Sequence, residues 1–112
     1  MQFEDLAVWK RSHSLAVFVY KIFSNNKDFG FKDQITRSAL SVPSNIAEGY
    51  ERFSNKDKIK FLFYSKASCA ELRAQVYIGV DIGYISQADG QFLINEASAV
   101  SRMLQGLIKA LR

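Results

Sequence analysis

Apolar residues along this chain recur at intervals of three and four, the spacing that lines one face of an α-helix; no sustained alternation of period two supports a strand. Four segments carry the helical pattern. The first is expected over about 5–23, with Leu6, Trp9, His13, Ala16, Tyr20 and Phe23 as its leading stripe. Val8, Leu15, Val19 and Ile22 form a second stripe beside it. The second helix is expected over about 31–52. Its seam of Ile35, Ala39, Val42, Ile46, Gly49 and Phe53 is spaced 4, 3, 4, 3 and 4, a heptad rhythm. Ser54 followed by Asp57 resembles a capping box and predicts a third helix running to about Ile82, roughly 40 Å long. Gly83 is placed to end it in a left-handed turn. Ser86 and Asp89 repeat the capping pattern before a fourth helix, which carries Leu93, Ala97, Val100, Leu104, Leu107, Ile108 and Leu111 on one side. Short connections make neighbouring helices antiparallel. The expected architecture is all-α: a single domain over 1–112, an antiparallel up-down-up-down four-helix bundle.

Pro43, the chain's one proline, falls inside the second helix and leaves the carbonyl of Ala39 without its usual donor. Two arrangements could absorb it. The helix breaks and restarts with Asn45 as N-cap and Glu48 as its partner, or it continues with a kink while Ser41 or Ser44 hydroxyls or water serve the freed carbonyls. The unbroken heptad rhythm favours the continuous, kinked helix. In it Ser41, Asn45 and Glu48 share a polar strip, read with Arg37 as an inter-helix or inter-subunit contact surface, and Glu48 stands one turn before Arg52.

Apolar residues make up 48% of the sequence, which argues against disorder. The third helix is apolar on more than one face, beyond what a lone bundle needs, since Ile59, Phe61, Leu62, Phe63 and Tyr64 come almost in succession. A helix apolar nearly all round is normally buried nearly all round. Unless the broad stripes simply fill a wide core, surface is left over for a partner, and a homo-oligomer is expected. No apolar run is long enough to span a bilayer. The first ten residues, MQFEDLAVWK, carry acids where a signal peptide has bases. With Cys69 as the single cysteine, this leads to the expectation of a soluble cytoplasmic protein without membrane association.

Charge sharpens the picture. Between Arg52 and Lys66 lie five bases, Arg52, Lys56, Lys58, Lys60 and Lys66, against one acid, Asp57. That segment holds a net +4, equal to the whole chain, so the rest is neutral in sum. Phe53, Phe61 and Tyr64 are interleaved with these bases, and a basic patch with aromatics is the footprint of nucleic-acid binding. In one copy alone the favoured reading of the same residues is a solvated helix start whose lysines keep it soluble. An oligomer would repeat the patch and add its backbone contacts.

The sequence offers no metal or cofactor site. One His and one Cys far apart provide no ligand set, and no Glu-x-x-His motif occurs. Glycine-rich phosphate loops are absent. A Cys69–His13 nucleophile pair is conceivable, but Cys69 sits among Ala67, Ser68 and Ala70, where small residues serve close helix approach. The residues therefore point away from an enzyme and toward a binding or structural protein.

Several motifs are familiar together. Phe3-Glu4-Asp5-Leu6 with Val8-Trp9, then Gln34-Ile35, Arg37-Ser38-Ala39, Ser41-Val42-Pro43 and Asn45-Ile46-Ala47-Glu48-Gly49, then Phe61-Leu62, Ser68 with Glu71-Leu72, and Gly83-Tyr84 resemble the bacterial 23S rRNA intervening-sequence proteins over nearly the full length. Ser12-His13 and the helix entry Asp28-Phe29-Gly30-Phe31 depart from that pattern. The resemblance implies a four-helix bundle assembled as a ring, commonly a homopentamer, with no established enzymatic activity. It also implies kinship with the accessory protein of diversity-generating retroelements, a basic pentamer that engages reverse transcriptase and nucleic acid. The expected protein is thus a non-enzymatic oligomer contacting RNA, DNA or an RNA-processing protein through its basic corner. The alternative is a purely structural oligomer, or a passenger product of its insertion element.

Overall fold

The computed structural model describes residues 2–112. A single 3₁₀ turn, Phe3–Asp5, precedes four α-helices: α1 Ala7–Ile22, α2 Phe29–Tyr50, α3 Asn55–Asp81 and α4 Gln87–Leu111. Each helix packs on its two neighbours, α1 also on α4, and the backbones of the diagonal pairs stay apart. The result is an elongated four-helix bundle of 43 × 21 × 20 Å. No strand occurs among the described residues.

The caps lie where short polar side chains can reach the free N–H groups of a first turn. Ser54 Oγ accepts from the Asp57 N–H at 3.1 Å and Ser86 Oγ from the Asp89 N–H at 3.1 Å. Asp28 Oδ1 caps α2 by accepting from the Phe31 N–H at 3.1 Å. α3 ends as expected of a glycine at φ +83°: the Tyr84 N–H donates to Gly79 O at 2.8 Å and the Gly83 N–H to Val80 O at 3.1 Å.

α2 runs through Pro43 without interruption. Of the two arrangements weighed from the sequence, the continuous helix is the one adopted. The Ser41 hydroxyl donates to Arg37 O at 2.8 Å, one turn back, rather than to the carbonyl of Ala39. Ile35, Ala39, Val42, Ile46 and Gly49 are all buried, but the seam stops there. Phe53 lies beyond the helix and is fully exposed, because the chain has already turned toward α3.

α1 departs from expectation in which stripe it buries. Val8, Ser12, Leu15, Ala16 and Val19 face the core. Leu6 and Phe23 join them at the two ends, while His13 and Tyr20 stay exposed and Trp9 is half-buried. Two adjacent apolar stripes give a helix two ways to turn, and contact with both α2 and α4 selected the line between those neighbours. Ser12 tolerates full burial because its hydroxyl donates to Trp9 O at 2.8 Å.

The core divides along the bundle axis. Leu15, Val19, Phe23, Ile35, Ala39, Leu72, Val76, Ile85, Leu93 and Ala97 form one cluster toward the α1–α2 and α3–α4 connections. Leu6, Val8, Val42, Ile46, Leu62, Cys69, Val100, Leu104 and Ile108 form the other, toward the α2–α3 connection. Each fully buried leucine or isoleucine contributes about 1.5–3 kcal/mol relative to exposure.

Candidate nucleic-acid interface

The corner between α2 and α3 is built around a close approach. A Cβ at Gly49 would stand 3.0 Å from Phe61 Cβ and 3.3 Å from Lys58 O, so only glycine lets the two helices meet here without displacement. The Arg52 N–H closes the last turn onto Gly49 O at 3.0 Å. The Lys58 ammonium reaches back across the corner and donates to Tyr50 O at 3.2 Å and Arg52 O at 2.8 Å. A cation on the last carbonyls of a helix satisfies orphan acceptors and opposes the negative end of the helix dipole.

The structure brings most of the basic segment to this corner but gives its members different duties. Lys58 is a clamp of the turn. Arg52 Nη2 donates to Glu48 Oε1 at 2.8 Å, and the Arg52 guanidinium sits 4.7 Å from the centroid of Phe61. Lys60 approaches the same ring at 5.5 Å. Lys66 lies further along α3 and donates to Gln105 Oε1 of α4 at 2.7 Å. Lys56 is exposed and has no hydrogen bond or ion pair among the described residues. Lys56 and Lys60 are therefore the segment's least committed charges.

The fold adds a base that lies far away in sequence. Asn55 Nδ2 donates to Leu111 O at 3.3 Å, fastening the end of α4 beside the start of α3. Arg112 then lies with its guanidinium 5.9 Å from the ring of Phe63. The antiparallel topology held the signal for this: in an up-down-up-down bundle the last helix returns to the level where the third begins. The basic end is consequently wider than the segment Arg52–Lys66 alone.

The polar strip of α2 is occupied within its own helix. Arg37 Nε pairs with Asp33 at 2.9 Å, Ser41 returns to Arg37 O, Asn45 Nδ2 donates to Ser41 O at 2.8 Å, and Glu48 pairs with Arg52. The polar contacts that join α2 to α3 come from neighbouring positions instead. Ser38 Oγ lies 2.6 Å from Glu71 Oε1, and Ser65 Oγ donates to Val42 O at 2.8 Å.

Cys69 is fully buried, and burial pushes its thiol up to about 12, so it is a neutral thiol at physiological pH and no nucleophile. His13 stands apart, on an apolar groove of about 470 Å³ between α1 and α2 that Ala16, Val17, Tyr20, Leu40 and Pro43 also line. No three metal-ligating side chains gather among the described residues. Among the described residues no helix is long and apolar enough to cross a membrane.

A family model described as 23S rRNA-intervening sequence protein matches residues 4–106. The crystal structure of a protein of unknown function from the S23 ribosomal protein family of Bacteroides thetaiotaomicron is similar, with 26% identity and a TM-score of 0.86. That likeness covers 92% of this chain and 99% of the other. No curated protein matches the chain.

Proposed function

The chain belongs to the 23S rRNA-intervening sequence protein family, and from that premise we propose that it is a non-enzymatic, oligomeric bundle protein that binds nucleic-acid backbone through the basic end where α2, α3 and α4 converge. The observation that carries this reading is the concentration of charge. The segment Arg52–Lys66 equals the net +4 of the whole chain, and Arg112 of α4 is fastened beside it through Asn55. Phosphate contacts are additive in log K, so a patch repeated around a homo-oligomeric ring, a pentamer in the form that the family resemblance implies, becomes effective where one copy is weak. The single buried cysteine fits a reducing, cytoplasmic setting.

Assembly has its own support. α3 carries an outward line of exposed residues, Phe63, Ala67, Ala70, Ala74 and Tyr77, at spacings of 4, 3, 4 and 3. A second heptad line on a helix already buried on its other side suits contact with another helix. This surface, with the α1–α2 groove, also favours the second reading, an oligomer whose role is purely structural or that receives a protein partner.

Binding of RNA and DNA over a salt series separates the two. The expected result is retention at low salt with a linear fall of log K against log salt, and a slope shallower by about two in the Lys56→Glu/Lys60→Glu/Arg112→Glu variant. A slope near zero in the unmodified protein would leave the structural reading. Sedimentation that finds only a monomer at micromolar concentration would remove the oligomer from both.

A further inference from the structure

We infer that Phe53 is a stacking platform for an unpaired base, so that the basic end takes single-stranded rather than duplex nucleic acid. This rests on the reading of the basic end given above and names its substrate class. Among the described residues Phe53 is the most exposed large apolar side chain, at 103% of its open-chain accessibility. Such exposure usually accompanies a loose loop, but here the backbone is held on both sides of the ring. Lys58 grips Arg52 O at 2.8 Å, the Lys58 N–H donates to Ser54 O at 3.0 Å, and Ser54 Oγ caps Asp57. The fold fixes the residue's position and leaves its ring in water.

The neighbours indicate what the ring is for. Glu51, Arg52, Ser54, Asn55 and Lys56 are all exposed, so Phe53 stands as an apolar face within a polar surround of both charge signs, with the excess of bases following along α3 at Lys58, Lys60 and Lys66. A bilayer or an apolar protein surface would have to bury those polar groups together with it, which costs more than one ring returns. A nucleobase matches the arrangement. Its face stacks on the ring, its edge meets polar side chains, and the adjoining phosphates meet Lys56 and Lys60. Stacking of this kind is tolerant of sequence and requires a base free of its duplex.

The test is fluorescence anisotropy at low salt with an unstructured single-stranded oligouridine and a blunt RNA duplex of equal length. The proteins are the unmodified chain, Phe53→Ala, Phe53→Trp and Lys56→Glu/Lys60→Glu. The inference expects tighter binding of the single strand and a loss of about five- to a hundredfold in Phe53→Ala. Phe53→Trp should retain affinity, and Phe53→Ala should leave duplex binding and the salt slope unchanged. Thermal melting of Phe53→Ala should match the unmodified protein, since the ring is free of internal packing. Normal single-strand binding by Phe53→Ala, with weakened binding by the lysine variant, would overturn the stacking role and keep the basic interface. Failure of the unmodified protein to bind either RNA would overturn both. Phe53-dependent pelleting with phosphatidylserine vesicles, in place of RNA binding, would reassign the ring to a membrane surface and overturn the inference.

Discussion

The two ends of the bundle solve the same problem in opposite ways. At the end that holds the α1–α2 and α3–α4 connections, aromatic rings close over the core. Phe23 packs on Phe31 at 5.8 Å between centroids, and Phe31 meets Tyr84 edge-on at 5.5 Å. The Tyr84 hydroxyl donates to Asp28 Oδ2 at 2.7 Å, so the carboxylate that caps α2 also anchors the turn after α3. At the α2–α3 end the core is mainly aliphatic, the turn is clamped by a lysine, and an aromatic ring faces outward. Both turns are firmly built. Both keep a ring in water, Phe29 at 72% exposure and Phe53 at 103%, but at the first end polar groups close the turn over an aromatic core, whereas at the second a lysine clamps the turn below an aliphatic one.

Several measurements would break or sharpen this contrast. The largest effect is expected in the cores. Leu93→Ala in one cluster and Leu104→Ala in the other, both at 0% exposure, should each cost about 2–5 kcal/mol in denaturant unfolding. A single transition in both variants would show that the two ends unfold as one body, and two transitions would show that they are separate units. Next come the turns. Gly83→Ala forces a side chain onto a φ of +83°, and Gly49→Ala sets a Cβ against Phe61 and the Lys58 backbone. Each should cost about 1–3 kcal/mol, for backbone strain in the first and overpacking in the second.

Lys58→Met separates clamp from ligand contact. It should lower stability by about 1 kcal/mol through the lost bonds to the Tyr50 and Arg52 carbonyls. RNA affinity should fall less than in Lys56→Met, which removes the same single charge, and an equal fall would assign Lys58 to the interface instead.

The smallest effect concerns pH. The bonds from Tyr84 OH and the Phe31 N–H hold the Asp28 carboxyl below its usual range, and Arg11 does the same for Glu96, with both Nε and Nη2 at 2.9 Å. A carboxylate whose folded pKa is depressed stabilises the protein above its unfolded pKa. That contribution is lost as pH falls through the folded value. Acidification below about pH 4 should therefore lower Tm. Asp28→Asn and Glu96→Gln should each flatten that dependence. A slope unchanged in both would remove these contacts as its source.

The sequence carried the architecture because its signals are local. Capping serines at Ser54 and Ser86, a glycine at the end of α3 and the buried seam of α2 each act within one or two turns. They were legible before any contact was known, as was the concentration of charge after Arg52. Three features required tertiary structure. α1 carried two apolar stripes of similar strength, and only its packing between α2 and α4 decided that Val8, Leu15 and Val19 would face inward. The heptad rhythm of α2 counted Phe53 into the buried seam although the helix was expected to end at about residue 52, because periodicity does not register where a chain turns. A run of five bases likewise hides which of them is spoken for. The i,i+4 pair of Arg52 with Glu48 was legible in the sequence, but Lys58 on the Tyr50 and Arg52 carbonyls, Lys66 on Gln105 and the Arg112 guanidinium beside the Phe63 ring are contacts made between segments. Local hydrogen bonding and periodicity are written in the order of residues. Which face is buried and which charge stays free depend on neighbours that the order alone does not supply.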